Sequence, residues 1–330
     1  MIKLESRLTK IAEPQHGQPT LIPPMDNRDI WVLRDDELGG FWGTKFRKYA
    51  SITKHCKSLD ISQIIATGGI NSNNLAAAAI LCAEAGITLT AFAVRDHDDQ
   101  IEKLAGNRFL LRLAIPPERL ILVNREDKQT ITQRMQDFQL ELNARGKKSL
   151  ILEEGGGCLA AVPGCLTLAD DITRPRPEWP DNKLPDHIFM DSGTGLSVAS
   201  LAAGLFKKNL LSKTRIHIIQ MAGFEEQIHH AFSNWVTPAS GVNWSDVAER
   251  VRVYRPLSPR SYGAVSSTLF EFIRTMARQH GLLLDPVYSG KLFLRTFDLI
   301  HGQNCRGRIL VIHTGGISGL MGFPQLANEI

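Results

Sequence analysis

The residues best equipped for chemistry sit in turns rich in glycine. In Gly39-Gly40-Phe41-Trp42-Gly43-Thr44-Lys45-Phe46-Arg47-Lys48-Tyr49 a glycine turn runs into a stretch where Lys45, Lys48 and Tyr49 share one helical face, being three and four residues apart. Thr44 is the predicted N-cap. One such amine can form an imine with an aldehyde, and the second offers positive charge to a phosphate. Without a ligand the same residues are a basic first turn facing solvent, but cations are disfavoured at the positive end of a helix dipole. In Ile64-Ile65-Ala66-Thr67-Gly68-Gly69-Ile70-Asn71-Ser72-Asn73-Asn74 a buried strand opens through two glycines into a polar helix start. Free backbone N–H groups, the Ser72 hydroxyl and the Asn73 amide would converge there, which suits a carboxylate. Capping alone is the competing account of Ser72 and Asn73. The third turn, Asp191-Ser192-Gly193-Thr194-Gly195-Leu196-Ser197, follows a strand and precedes an apolar helix. Gly193, Thr194, Gly195, Leu196 and Ser197 then form a cradle of backbone N–H groups fit for a phosphate. The lysine of GxxxxGK[ST] and the spacing of GxGxxG are both missing, which counts against nucleoside triphosphates and dinucleotides.

Late in the chain stand Tyr262 in Ser261-Tyr262-Gly263, Tyr288 and Ser289 in Asp285-Pro286-Val287-Tyr288-Ser289-Gly290-Lys291, and Thr314 in Ile312-His313-Thr314-Gly315-Gly316. Each follows an apolar stretch and offers a hydroxyl. Taken singly, either tyrosine reads as a packed residue at the edge of the core.

These turns must be held by elements, and the elements are legible as apolar runs of strand length. They are Ile61–Thr67, Thr88–Val94, Leu120–Val123, Ser149–Leu152, His187–Met190, Arg215–Gln220 and Arg308–His313, each preceding a helical stretch. Continuous apolar strands alternating with helices predict an α/β protein with parallel sheets covered on both faces. Ligands in such sheets sit at the carboxyl ends of strands, where the glycine turns lie. A chain of 330 residues fits two such domains, or one domain with a large insertion. Gly155-Gly156-Gly157 and the proline-rich surface loop Thr173–Leu184 bracket the expected crossing between them.

Composition narrows the partners. The formal charge of +4 comes from lysines and arginines scattered among acids, which gives no support to nucleic-acid or membrane binding and suits a small anionic ligand. The start, residues 1–10, has no apolar core of a signal peptide, so a cytoplasmic protein is expected. Five cysteines without a CxxC pair predict reduced thiols, with neither disulfides nor a zinc site.

In their order along the chain, the turn with Lys45, the GGI-x-SN, GGG, SGTG and SYG patterns, DPVYSGK and HTGG resemble one family. It is the pyridoxal 5'-phosphate (PLP) dependent 1-aminocyclopropane-1-carboxylate (ACC) deaminase and D-cysteine desulfhydrase family, of the two-domain fold type II, tryptophan synthase β-like. The resemblance runs from about Ile30 to Leu320, and DPVYSGK with HTGG is its most specific part. It implies PLP on Lys45, with Lys48 near the phosphate and the 193–197 turn enclosing it. It further implies Ser72 on the substrate carboxylate, Asn73 on the PLP 3'-oxygen, Tyr262 and Tyr288 as the active-site tyrosines, and Thr314 near the pyridine nitrogen. The implied layout is a large PLP-binding domain of residues 1–48 and 161–330, a small domain inserted at 49–160, and a homodimer.

The implied activity is deamination of a small amino acid, of the lyase or hydrolase class. Three departures reshape the expectation: GGFWGTK replaces a shorter GGNK, CLAAVPG follows Gly157 in place of a Ser-Asn pair, and Asn74 stands where Gln is common. Ser289 replaces the acid that ACC deaminases carry after the second tyrosine. With only Ser289 and Thr314 at the ring nitrogen the electron sink would be weak, so the sequence leans toward D-cysteine desulfhydrase chemistry, with ACC deamination as the alternative. Two rivals rank lower. A dehydrogenase lacks its fingerprint, and a PLP-homeostasis protein without turnover could dispense with Ser72 and both tyrosines.

Overall fold

All seven apolar runs form strands in the computed structural model, which describes residues 18–22, 30–95, 104–175, 184–257, 259, 262–302 and 305–327. The expectations for residues 1–10, for 176–183 of the proline-rich loop and for Ser261 lie outside the described residues. In chain order the strands are β1 (Gln18–Ile22), β2 (Ile30–Arg34), β3 (Gln63–Gly69), β4 (Thr88–Arg95), β5 (Leu120–Asn124), β6 (Ser149–Leu152), β7 (His187–Ser192), β8 (Arg215–Gln220), β9 (Val251–Tyr254) and β10 (Ile309–Ile312). They build a six-stranded sheet ordered β1-β2-β10-β7-β8-β9 and a four-stranded sheet ordered β5-β4-β3-β6. The strands of the smaller sheet fall, in sequence, between β2 and β7 of the larger.

Every described pairing is parallel except one. β1 runs antiparallel to β2 at the edge of the larger sheet, which corrects the all-parallel expectation. The intervening residues 23–29 are too few for the crossover that a parallel pair needs, whereas antiparallel neighbours accept a short connection.

Alternate residues of the central strands enter different cores, as the pleat requires. Ile188 and Met190 of β7 join the largest apolar cluster with Leu310 and Ile312 of β10 and Ile64 and Ala66 of β3, so one core lies between the two sheets. Phe189 and Val311 point the other way, onto Phe293 and Phe297 of the helix Ser289–Gly302. Ile65 and Phe92 meet Met135 and Leu142 behind the smaller sheet. Both sheets are thus covered on both faces, as expected from the continuous apolar strands.

Six helices matter to the site: α1 (Thr44–Ser58), α2 (Asn73–Glu84), α3 (Gly106–Ala114), α4 (Ile131–Ala144), α5 (Val162–Thr173) and α6 (Leu196–Lys207). α1 and α5 cross so closely that a Cβ on Gly164 would lie 1.9 Å from the Arg47 carbonyl oxygen. At that crossing the Arg47 guanidinium is buried in a polar clamp. Its Nε and Nη2 donate to Asp35 at 2.8 and 2.7 Å, Nη2 also donates to Asp171 of α5 at 2.6 Å, and Nη1 donates to Thr167 at 2.8 Å. All five cysteines are free and buried, and among the described residues no helix is long and apolar enough to cross a membrane.

Removing one partner of a buried ion network strands the others at a cost of about 3–5 kcal/mol. Arg47→Ala is therefore expected to lower the unfolding free energy by about that amount, measured by chemical denaturation. A loss below about 1 kcal/mol, the range of exposed ion pairs, would show that the clamp does not hold α1.

Candidate active site

The start of α1 is set by a close backbone approach. Gly43 is the N-cap, with φ 61° and ψ −139°, and a Cβ there would lie 2.0 Å from the Thr314 carbonyl oxygen. Only glycine tolerates both the positive φ and the contact, which is why Gly43 caps in place of the predicted Thr44. Thr44 becomes the first helical residue and donates its N–H to Thr314 O at 3.0 Å. The first turn of α1 is thereby pinned beyond the carboxyl end of β10. Desolvation lowers the Lys45 pKa, with Asp191 opposing. Lys48 donates to Gly155 O at 2.9 Å, and burial followed by repulsion from Lys45 pushes its pKa down to about 8.

The β3–α2 turn supplies the second wall. Ser72 caps α2, its hydroxyl oxygen accepting from the N–H groups of Asn74 at 3.1 Å and Leu75 at 3.4 Å. Capping therefore occurs, and it leaves the hydroxyl proton for another acceptor. The Asn73 side-chain oxygen accepts from Asn107 Nδ2 of α3, which also donates to Asn71 O at 3.0 Å. With its oxygen held by α3, Asn73 has its amide N–H groups free to donate. Asn74, oriented to satisfy its neighbours, donates to Gly155 O at 3.1 Å and accepts from Gly156 N at 3.2 Å. A Cβ on Gly155 would meet Thr194 Oγ1 at 2.4 Å, and one on Gly157 would meet the Trp235 ring at 2.5 Å. The triple glycine is where the end of the smaller sheet comes up against the β7–α6 turn.

That turn has the form expected of it. Gly195 is left-handed at φ +86°, with its Cα so close to the helix Glu225–Ala231 that a Cβ would sit 2.4 Å from Gln227 O. The leading N–H groups of α6 have no intrahelical acceptor. Gln220 at the end of β8 donates to both Gly193 O and Ala222 O at 2.6 Å, tying the turn to the neighbouring strand.

Tyr262 and Tyr288 come together, their hydroxyl oxygens 3.0 Å apart. Tyr262 is 56% exposed at the rim, whereas burial raises the Tyr288 pKa well above that of an ordinary phenol. Thr314 donates to the Asp191 carboxylate at 2.7 Å.

Every residue given a site role from the sequence lines one cavity of ≈ 400 Å³ except Ser289, while Tyr49, which shares the helical face of Lys45 and Lys48, is buried outside its lining. Ser289 is fully buried elsewhere, donating its hydroxyl to Asp285 Oδ2 at 2.9 Å and accepting from Asp285 N at 2.8 Å. The Asp285 carboxylate also accepts from the N–H groups of Val287 and Tyr288. Ser289 thus belongs to a capping arrangement that fixes the backbone carrying Tyr288, and does not face the cavity. Instead an acid, Asp191, lines the cavity beside Thr314, so the inference of a site with neutral hydroxyls alone does not hold.

The sequence model of the family described as "Pyridoxal-phosphate dependent enzyme" matches residues 17–315. The chain belongs to that family. Among its curated relatives, D-cysteine desulfhydrase of Serratia proteamaculans is 27% identical over 316 residues, covering 91% of this chain and 90% of the relative. A bifunctional D-cysteine desulfhydrase/1-aminocyclopropane-1-carboxylate deaminase of Arabidopsis thaliana is 27% identical over 91% of this chain and 75% of its own. Among solved structures, an ACC deaminase homologue superposes with a TM-score of 0.76 at 24% identity, covering 95% of this chain and 94% of that one. Of the two reaction classes open from the sequence, lyase fits these relatives and hydrolase does not.

The residues present fit the family's cofactor. The cavity holds an amine with a lowered pKa, a helix-start cradle and a second cation. The buried Ser192 hydroxyl at the cradle also has no partner among the described residues. Asp191, Asn107, Gln220 and Asp285 escape sequence reading. Asp191 and Asp285 stand inside patterns the sequence offers but carry no role there, and no spacing distinguishes Asn107 or Gln220 from solvent-facing residues.

Lys48 gives the site a pH dependence of fixed sign. Its ammonium is charged well below pH 8 and is lost as pH rises through that value, while a bound dianion would raise the midpoint. Affinity of the apoprotein for PLP is expected to fall above about pH 8, and Lys48→Met should remove that limb of the profile. An unchanged limb in the variant would place the titrating group elsewhere.

Proposed function

We propose that the protein is a PLP-dependent deaminating lyase acting on a small amino acid, with D-cysteine or a related β-substituted D-amino acid as substrate. The observation that carries the reading is the meeting, on one cavity, of Lys45, the α6 cradle, Asn73 and the paired tyrosines. Held on Lys45, PLP would supply an electron sink for breaking bonds at the α-carbon. The N–H groups of 193–197 and the Lys48 ammonium would hold its phosphate, and the Asn73 amide would donate to its 3'-oxygen.

The chain's own groups account for the remaining steps. Ser72, whose oxygen is already committed to the cap, donates its proton to the substrate carboxylate and so orients the α-carbon. Desolvation lowers the Lys45 pKa, which favours a neutral amine that would hold the cofactor through its aldehyde and, when free, would move a proton at the substrate's α-carbon. Tyr288 stays protonated because burial disfavours the phenolate, and with Tyr262 it can pass a proton to a departing thiolate. Loss of sulfide and hydrolysis of the resulting enamine then give pyruvate and ammonia. A second reading, opening of the ACC ring to 2-oxobutyrate and ammonia, is favoured by Asp191, since ring opening without an α-hydrogen asks for the stronger sink that an acid near the ring nitrogen provides.

Purified enzyme is expected to release pyruvate and sulfide from D-cysteine, in preference to D-serine, ACC and the L-isomers. Tyr288→Phe should retain the cofactor and lower kcat by about 10²–10⁴-fold, the range of a lost general acid. Efficient formation of 2-oxobutyrate from ACC with D-cysteine untouched would decide for the second reading, and no product from any of these would contradict both.

A further inference from the structure

Asp191 has no task in the D-cysteine chemistry described above, although it lines both the main cavity and the small one that adjoins it beside Trp42 and Gly315. It sits at the end of β7, and Thr314 follows the neighbouring β10, with Met190 in register with Ile312. The Thr314 hydroxyl donates to Asp191 Oδ1 at 2.7 Å. The charged groups acting on Asp191 are Lys45, which favours its ionised form, and Asp285, which disfavours it. Burial raises its pKa to about 6, so near neutral pH it is largely a carboxylate.

The direction of that hydrogen bond matters. A hydroxyl has one proton, and in Thr314 it is given to Asp191. The oxygen that remains for a ligand can only accept. The partner of an accepting oxygen must carry a proton, and a pyridine nitrogen does so only as its conjugate acid. A cofactor held by the residues assigned to it above would bring that nitrogen to this spot. Lys45 takes the aldehyde carbon, the α6 cradle takes the phosphate arm on the next ring atom, and Asn73 takes the hydroxyl on the other side. The ring nitrogen lies across the ring from the aldehyde carbon, and Thr314 with Asp191, which line both cavities together with Lys45 and Asn73, would meet it.

We propose that Asp191, acting with Thr314, holds the cofactor's ring nitrogen in its protonated form. The proposal rests on the reading of Lys45 as the attachment point. Asp191 is a positioning residue in this arrangement: it fixes the polarity of the Thr314 hydroxyl and supplies the negative charge that an N–H⁺ group requires. The site then contains the strong sink that the sequence reading denies it, on an acid carried by a different strand. Such a sink serves β-elimination and also suits substrates that lack an α-hydrogen.

The test is the ¹⁵N spectrum of holoenzyme loaded with ring-¹⁵N PLP and titrated with pH, because the shift reports the protonation of that nitrogen directly. Wild-type protein should show a protonated nitrogen through pH 8. Asp191→Asn, nearly the same in shape, should lower the protonation midpoint by about 1–3 pH units, with the cofactor still attached at Lys45 by mass after borohydride reduction. Asp191→Glu should recover part of that midpoint. An unprotonated nitrogen in wild-type protein, or an unmoved midpoint in Asp191→Asn, overturns the proposal. If Asp191→Asn fails to keep the cofactor, the wild-type spectrum and Asp191→Glu decide it in the same way. A wild-type protein that takes up no PLP overturns the Lys45 reading first, and this proposal with it.

Discussion

Everything in the site depends on where the first turn of α1 is held, and that is settled by a buried charge. Arg47 lies two residues beyond Lys45, and its guanidinium is shared between Asp35, just past β2, and Asp171 of α5. A charge taken out of water must be fully paired or it is strongly destabilising, so the helix has little freedom to rotate about its axis. Fixing Arg47 fixes the face on which Lys45 and Lys48 project. The Gly43 contact with Thr314 adds the second constraint, setting how far the helix start stands from the end of β10. The lysine amine, the cradle and the Thr314 hydroxyl are then brought together by backbone geometry before any ligand contributes.

A second theme is that several polar groups at the cavity are oriented by a neighbour, which in three cases lies behind the cavity wall and in the fourth, Asp191, lines it. Asn107 holds the oxygen of Asn73, Asp285 holds the turn carrying Tyr288, Gln220 ties down Gly193, and Asp191 takes the proton of Thr314. Supporting hydrogen bonds of this kind keep a site close to its productive geometry. They also explain the polarity of what is left over, since an amide or hydroxyl with one side committed presents only the other to a ligand.

The sequence announces the scaffold more clearly than this support. The seven apolar runs and the glycine turns are legible because continuous burial and positive φ leave few alternatives in residue type. β2 and β9 are harder to see: Ile30-Trp31-Val32-Leu33 is a short run beside charged residues, and Val251-Arg252-Val253-Tyr254 alternates as a half-covered strand does. The positions lining the cavity follow from the turns together with the family resemblance. Ser289 shows the limit of the second route. Its neighbour Tyr288 reaches the cavity, but the capping bonds of Asp285 turn Ser289 inward, and one step along the chain changes the surroundings entirely. Asp191 was equally invisible for a physical reason, because a carboxylate at the end of a buried strand is recognisable as functional only when its partner from a distant strand is known.

The central claim is that Lys45, and no other lysine, carries the cofactor. Purified protein loaded with PLP, reduced with borohydride and digested, should yield one phosphopyridoxyl peptide by mass spectrometry, with the added mass on Lys45. Attachment at Lys48, or no attachment from a protein that remains colourless in excess PLP, would contradict the account.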